Sequence, residues 1–527
     1  MNSLHQVALA AALGLAAACA TATPPAEPAT PAPAPAPAPK PKPKEPPAPA
    51  PRVPVQGEEA ISKQPALPPL KEFAAPVPKL ITLPNGLKVY VVERKGDGIE
   101  AVRLLIRHGA SYDPERGPGL ASMTSVMMEA GSAGKSEAEI ASAADALGAS
   151  LGVEAGQDAV TVGISGMTDK LPQMVKLLAD VALKPNMDPK EWKRLQDQRV
   201  AELAAQRAQL RAGATLAFKA AAYGSHPLSR PVEGTPESVQ AMTLDEVKGF
   251  FKTFGPDQAA LVAVGGTPEK DVVKRLTDAF SGWKRQGPAP AALPAASVPA
   301  ERPRLVLVDY PQKPQAVVMM GQPAVPRSSP DYLALTLLNS VLGGSFTSRL
   351  NQNLREQHGY TYGAGSRFFF GADPGPFVAY AQVKTEVTGP ALKEMFHELE
   401  RAVNEPLAAD ELSKGRALLA YDLVSMLEHA DSAAGGVSAI YVYDLPLDEY
   451  RTFVDRLKSL TAQDVQAAAR RALQPDKMVV TVAGDRKAVE PQLQREPALK
   501  LPAPQLRDPG GKLVQAAAPG PGRAPNR

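Results

Sequence analysis

The chain has 527 residues, of which 44% are hydrophobic and 21% are charged, and its formal net charge is +3. A single core stops growing at roughly 250–300 residues, so this length predicts more than one domain. The small net charge excludes a broad electrostatic attraction to nucleic acid or anionic lipid. Cys19 is the only cysteine, which excludes an intrachain disulfide and a cluster of thiolate metal ligands.

The N-terminus has the features of an export signal. Residues 8–18 form an apolar run that is too short to span a bilayer as a helix, and the small residues at its end are typical of a signal peptide. Leu15–Cys19 (LAAAC) resembles a bacterial lipobox, in which the cysteine becomes the lipidated first residue. An ordinary cleaved signal peptide is the alternative, because Ala16 replaces the usual leucine. We therefore predict a signal peptide over residues 1–19, lipidation of Cys19, and a lipid-anchored location in the bacterial envelope or periplasm.

Three segments are too rich in proline to build a core. Residues 20–76 include strict Pro-Ala alternation from Pro31 to Pro39, which favours polyproline II and predicts a tether with a reach of up to ~100 Å. A leader without any spacer function is the alternative. Residues 287–303 predict a linker, and residues 491–527 predict a disordered tail.

The residues between tether and linker predict alternating strands and helices. Leu80–Arg94 contains two β-rich runs around Pro84-Asn85-Gly86, a strong hairpin signal. Ala101–Arg107 predicts another strand. Ser136, with Glu139 three positions later, predicts a capped helix that runs to about residue 147.

The part after the linker repeats this plan. Thr243 starts a capped helix that leads to the apolar strand Ala260–Gly265, and Thr461 starts another that leads to Val479–Gly484. The second part also opens with two apolar strands, which are Arg304–Val308 and Ala316–Met320. This repetition predicts two homologous α+β domains, which cover residues 77–286 and 304–490.

Motifs within this duplicated plan resemble those of the M16 (pitrilysin- and insulinase-like) metallopeptidases. The matching segments are Leu83–Leu87, Gly109–Asp113, Gly117–Ala121, Leu342–Ser345, Ser348–Leu350, Leu354–Glu356 and Gly359–Gly363. The resemblance extends over about residues 77–491. It implies two tandem domains of the LuxS/MPP-like type, each with a largely antiparallel sheet covered by helices.

The zinc motif of the family is missing. Active members continue Gly-Leu-Ala with His-x-x-Glu-His, in which two histidines on one helix face hold Zn²⁺ and the glutamate deprotonates the zinc-bound water. Here Ser122, Ser125 and Val126 occupy those positions, and no two of the six histidines lie within one helical turn of each other. Glu202 falls near a further ligand position and is interpreted as a solvated helix residue. We expect no metal in this chain and no autonomous enzyme activity.

The resemblance also implies a role for the second domain. In heteromeric M16 enzymes, a subunit without zinc contributes an arginine and a tyrosine to the active cleft, and these positions fall on Arg355 and Tyr362. The interpretation is a heterodimer in which a partner bearing His-x-x-Glu-His holds the zinc and both chains bind an extended peptide substrate. A purely structural role for Arg355, at a helix end, and for Tyr362, at a strand start, stays open.

Gly131–Ser136 does not form a phosphate-binding loop, because Glu129 stands where such a loop needs its first glycine. Nucleotide binding is therefore not expected. A non-proteolytic peptide-binding or scaffold lipoprotein of the envelope remains the alternative function.

Overall fold

The computed structural model describes residues 74–291 and 298–514. The predicted signal peptide, the lipidation site at Cys19 and nearly all of the predicted tether lie outside the described residues. Ala75, which the sequence analysis assigned to the tether, is buried, and its carbonyl oxygen accepts a hydrogen bond from Arg451. The ordered body therefore begins slightly before residue 77.

The first half contains eight strands and eight helices. Its strands are β1 (Lys79–Thr82), β2 (Lys88–Glu93), β3 (Ile99–Ile106), β4 (Gly131–Ser132), β5 (Lys135–Ser136), β6 (Ser150–Ala155), β7 (Val160–Met167) and β8 (Ala259–Gly265). Its helices are α1 (Leu120–Glu129), α2 (Glu137–Ala146), α3 (Leu171–Leu183), α4 (Pro189–Arg207), α5 (Leu210–Tyr223), α6 (Pro236–Ala241), α7 (Leu244–Lys252) and α8 (Glu269–Phe280).

The second half has a similar order of elements, with six strands and eight helices among the described residues. Its strands are β9 (Leu305–Asp309), β10 (Gln315–Pro323), β11 (Thr361–Phe368), β12 (Pro376–Lys384), β13 (Val479–Gly484) and β14 (Gln505–Arg507). Its helices are α9 (Tyr332–Leu342), α10 (Arg349–Asn351), α11 (Thr388–Asn404), α12 (Ala409–Glu428), α13 (Ala430–Val442), α14 (Phe453–Ser459), α15 (Ala462–Ala472) and α16 (Arg486–Arg495). Helix α10 continues as a π-helix over Gln352–Gln357.

Local sequence signals explain several element boundaries. The capping boxes expected at Ser136, Thr243 and Thr461 are all formed, each with an acidic residue three positions later. Each box satisfies backbone N–H groups that have no partner within the helix. Gly86 has a φ of 85° in the turn between β1 and β2, a backbone conformation that favours glycine.

The strand order confirms the duplication. The first sheet has the order β1-β2-β8-β3-β7-β6, and the second has the order β11-β12-β10-β13-β9-β14. Strand β2 pairs in parallel with β8 in the first sheet, and β9 pairs in parallel with β13 at the matching place in the second sheet. Five strands occupy matching places in the two sheets, in the orders β2-β8-β3-β7-β6 and β9-β13-β10-β12-β11. Their remaining pairs are antiparallel. The predicted class, two homologous α+β domains with largely antiparallel sheets, is therefore confirmed.

The two halves exchange one helix each. Helix α5 belongs to the first half by sequence but packs through Phe218 and Ala217 against β10 and β13 of the second sheet. Helix α13 in turn packs through Val437 and Ile440 against β3 and β8 of the first sheet. The opposite face of each sheet is covered by helices of its own half, so both sheets are buried between helical layers.

The expectation of disorder from residue 491 is wrong for residues 491–514. Pro491 lies inside α16, and β14 pairs in parallel with β9 at the edge of the second sheet. Composition did not reveal this strand because an edge offers unpaired backbone groups to any extended segment, whatever its side chains. Within the described residues, no helix combines the length and apolar character needed to cross a membrane.

Candidate functional site

The start of α1 is held tightly in place. The Asp113 carboxylate accepts hydrogen bonds from the backbone N–H groups of Gly119 at 2.7 Å and Ala121 at 2.9 Å. Gly119 has a φ of 98°, and a Cβ atom there would lie 2.8 Å from the Cα of Gly234. A side chain at this position would therefore clash with the neighbouring loop. The helix that bears the zinc ligands in active relatives is kept in position here.

The Asp113 carboxyl group is buried at this helix N-terminus. Burial raises its pKa to about 6, although the two N–H donors and the nearby Arg230 guanidinium act in the opposite direction. The carboxyl fixes the local backbone, and both of its oxygens are engaged by the start of α1. Its function is to cap the helix.

The three positions where zinc ligands and base are expected carry no group that binds a metal ion. The Ser125 hydroxyl is buried and donates to the carbonyl oxygen of Ala121 at 3.1 Å, while Ser122 and Val126 are half-buried. Thr124 donates in the same way to Leu120 at 2.8 Å. These hydroxyls are satisfied by their own helix, so nothing at this place is prepared to polarise a water molecule.

Acidic and histidine side chains elsewhere in the described residues do not replace the lost site. These residues contain no cluster of three or more His, Cys, Asp or Glu side chains that could hold a metal ion. Glu202 on α4 is exposed and lies 3.7 Å from Arg199, as expected for a solvated helix residue. Glu129 accepts a hydrogen bond from the Val153 N–H group. The residues present therefore do not fit a catalytic zinc ion.

Arg355 and Tyr362 lie on the surface of the second half. Arg355 is on the π-helix with 37% of its side chain exposed, 3.3 Å from Glu356, and its guanidinium lies 4.6 Å from the centre of the exposed Phe346 ring. Tyr362 is near the start of the edge strand β11 and is 89% exposed. Neither side chain is engaged in the core, so both are accessible to a second molecule.

Two neighbouring cavities meet at Tyr362. One, of about 420 Å³, is lined by β10, β11, β12 and the start of α5, and the other, of about 890 Å³, extends to α16. Gln315 and Tyr362 line both. Arg355 lines neither of them, so the structure does not bring the two predicted site residues together in one cavity.

A third cavity, of about 840 Å³, lies between the two halves, and none of its lining residues was predicted from the sequence. The first half contributes Lys219 and Asp158, and burial lowers the pKa of the lysine to about 8 and raises that of the aspartate. In the second half, Arg327 pairs with the buried Glu449 at 2.9 Å. The lining residues come from segments far apart in sequence, so no local pattern marks them.

Comparisons with known proteins agree with this architecture. Residues 89–236 match the family model described as insulinase (peptidase family M16), and residues 241–419 match the one described as peptidase M16 inactive domain. An uncharacterized zinc protease of Mycobacterium tuberculosis is 26% identical over 414 residues, which are 78% of this chain and 94% of that protein. The non-peptidase homolog YmxG of Helicobacter pylori is 22% identical over 366 residues, which are 69% of this chain and 84% of that protein.

A solved structure supports the same assignment. A peptidase M16 inactive domain from Pseudomonas fluorescens superposes with a TM-score of 0.72 and 28% sequence identity, and the match covers 77% of this chain and 98% of that one. The two matched family segments meet between residues 236 and 241. The structural boundary lies later, because β8 occupies the middle of the first sheet.

Proposed function

Because this chain belongs to the M16 peptidase family and carries no zinc motif, we propose that it is the non-catalytic partner subunit of a heterodimeric zinc endopeptidase. The partner would be a second M16 chain with His-x-x-Glu-His, which binds the zinc ion and activates the water. This chain would contribute Arg355 and Tyr362 to the binding of an extended peptide substrate. The observation that carries the proposal is the contrast between an α1 without ligands and an exposed Arg355 and Tyr362.

The two side chains suit different parts of peptide hydrolysis. The planar guanidinium of Arg355 holds its N–H donors in a fixed fork that can point at a peptide carbonyl oxygen, whereas the donors of an ammonium group rotate freely. The phenol of Tyr362 can donate to the oxyanion that forms when water attacks the scissile carbonyl. Both roles require closure by the partner, since Tyr362 is 89% exposed in the single chain.

The exposed surface near Arg355 also suits contact with another protein. The Arg355 guanidinium stacks on Phe346, whose ring is exposed to solvent. Arginine and aromatic side chains are enriched at the centres of protein interfaces, where they bury large areas. We infer that this pair approaches the zinc-bearing subunit.

The test is reconstitution with a zinc-bearing M16 subunit. We expect the purified chain alone to contain no stoichiometric zinc by elemental analysis and to cleave no peptide. The mixture should be active, and Tyr362→Phe should lower the single-turnover rate by as much as ~10²–10³, because one oxyanion donor is lost. Arg355→Lys should also lower the rate, while complex formation measured by size-exclusion chromatography stays the same.

A matched control is Tyr421→Phe, which removes one hydroxyl from another exposed tyrosine, 71% exposed on α12. This variant should leave the rate unchanged. If Tyr362→Phe and Arg355→Lys also leave it unchanged, both are structural residues. A mixture that cleaves no peptide would instead favour the function of a non-proteolytic peptide-binding or scaffold protein.

We propose the bacterial envelope as the place of this assembly. The basis is the apolar run that ends at Cys19 and the Pro-Ala segment that follows it. A lipid on Cys19 would hold the subunit at a membrane surface, and the Pro-Ala segment would allow its body to reach a partner on the same side.

A further inference from the structure

The groove formed by the two cavities on either side of Tyr362 contains more positive than negative charge. Their lining includes four cationic side chains and one carboxylate, and these are Arg211, Lys384, Lys487, Arg495 and Glu386. Among the described residues, no carboxylate oxygen lies within 4.0 Å of any of the four cations, in contrast to ion pairs such as Lys274–Asp278 and Arg486–Glu490. The charges of this groove are therefore not neutralised by the chain itself.

The floor of the same groove is apolar and aromatic. Val317 and Met319 of β10 and the Tyr380 ring of β12 line the cavity next to Tyr362. The Arg211 guanidinium lies 4.6 Å from the centre of the Tyr380 ring, a cation–π contact that leaves the edge of the guanidinium available for hydrogen bonds. A ligand for this groove needs apolar groups as well as negative charge.

The backbone beside the groove suits an extended chain. Strand β11 is the edge of its sheet, and its register with β12 is interrupted between Thr361 and Ala364. Tyr362 lies in this interruption, so its backbone is not part of the regular ladder. Edge strands bind extended peptides by main-chain hydrogen bonds, and alternate side chains of the peptide point to opposite sides.

We propose that this groove binds an extended peptide segment rich in aspartate or glutamate. Such a segment supplies carboxylates for Lys384, Lys487 and Arg495, and apolar side chains for the floor. The proposal rests on the proposed function in assigning Tyr362 to the peptide site, and it adds the substrate class. It also predicts that this chain selects the substrate by charge, independently of the zinc-bearing subunit.

The test uses the full chain without a partner, with binding measured by fluorescence anisotropy. The probes are two labelled eight-residue peptides that differ only in three glutamates replaced by glutamines. We expect the acidic peptide to bind at least about tenfold more tightly at low salt. The difference should shrink at 0.5 M salt, because screening acts over about 10 Å or less already at 0.1 M. Equal affinity of the two peptides would overturn the proposal.

Variants locate the binding surface. We expect Lys384→Glu and Lys487→Glu each to lower the affinity for the acidic peptide about three- to tenfold. The affinity for the glutamine peptide should stay unchanged. The matched control is Lys270→Glu, because Lys270 is the second residue of α8 just as Lys487 is the second residue of α16, and both are exposed. Circular dichroism and melting temperature confirm that each variant is folded. A Lys270→Glu effect as large as that of Lys487→Glu would contradict the assignment.

A further comparison distinguishes a failure of this inference from a failure of the proposed function. If reconstituted proteolysis depends on Tyr362 while acidic and neutral substrates are cleaved equally, only the charge preference is wrong. If the acidic peptide binds but no zinc-bearing subunit restores cleavage, only the partner role is wrong. Tighter binding of a single-stranded oligonucleotide than of the acidic peptide would overturn the choice of ligand.

Discussion

At the scale of single residues, the buried His108 illustrates how packing controls ionisation. Its ring lies 4.3 Å from that of Tyr112 and 4.4 Å from that of Phe250, and Thr253 is 3.3 Å from its Nδ1. Burial lowers the pKa of His108 to about 4, and the positive charge of Arg285 acts in the same direction. The histidine is therefore a neutral core residue at pH 7.

This lowered pKa predicts a pH-dependent free energy of unfolding. Below pH 6.5 the unfolded chain protonates His108, whereas the folded chain does so only near pH 4. Stability is therefore lost as the pH falls through this window. The substitution His108→Phe fits the aromatic surroundings. Between pH 7 and pH 4.5, we expect its free energy of unfolding to fall by about 2 to 3 kcal/mol less than that of the wild type.

Urea denaturation at the two pH values measures this difference. Asp113 contributes to the pH dependence of stability with the opposite sign. Its pKa is raised in the folded chain, so the stability it contributes is lost as the pH rises through about 6. Asp113 is present in both proteins and so cancels in the comparison. Parallel pH profiles of wild type and His108→Phe would show that the pKa of His108 is not lowered.

At the scale of elements, the exchanged helices α5 and α13 are the main feature that joins the halves. Phe218 on α5 is almost completely buried, and a Cβ on Gly321 of β10 would approach its ring to 2.9 Å. This close packing allows only glycine at position 321 beside the ring. Each sheet needs a helix of the other half to bury its second face, so neither half has a complete core by itself.

Removal of the Phe218 ring should therefore destabilise both halves together. We expect Phe218→Ala to lower the free energy of unfolding by about 3–5 kcal/mol, the usual cost of a large buried aromatic side chain. Both tryptophans, Trp192 and Trp283, lie in the first half, so their fluorescence reports on it alone. Far-ultraviolet circular dichroism reports on the whole body.

The two signals should give the same midpoint in wild type and in Phe218→Ala. The control Tyr421→Ala truncates a largely exposed aromatic side chain and should change stability by no more than about 0.5 kcal/mol. Two separated transitions in the wild type would contradict joint unfolding of the halves.

At the scale of the whole molecule, two copies of one plan have diverged in their surfaces. Among the described residues, the first copy has a fixed α1 without a cluster of metal ligands, and the second copy carries Arg355, Tyr362 and most of the positively charged groove, to which the first adds Arg211. The described residues begin at 74 and end at 514, apart from 292–297. Cys19 precedes the first of them by more than fifty positions in the printed sequence.

The proposed anchor predicts a change of location without a change of fold. Cys19→Ser should move the protein from the membrane fraction to the soluble fraction, because the thiol that accepts the lipid is gone. The melting temperature should stay the same, since the change replaces one sulfur atom by oxygen more than fifty positions before the first described residue. Metabolic labelling with a fatty acid is the direct measurement. A wild-type protein that takes up no label, or a variant that remains in membranes, would exclude the lipid anchor.

The sequence by itself determined the features that depend on neighbouring residues. Each capping box, at Ser136, Thr243 and Thr461, involves residues only a few positions apart, and so does the hairpin of β1 and β2. Their patterns are therefore visible in the sequence. The loss of the zinc motif is of the same kind, because both histidines and the glutamate would belong to one helix. The duplication was visible because the capped helix at Thr243 and the apolar strand after it recur at Thr461.

Only the tertiary structure decided which distant residues meet. The exchange of α5 and α13 pairs residues more than eighty positions apart in the sequence. Strand β14 forms because β9 offers a free sheet edge with which it pairs, and composition does not reveal that edge. The groove at Tyr362 brings Arg211 of the first half next to Tyr380 of the second. Such contacts are fixed by the packing of whole elements, which no local pattern specifies.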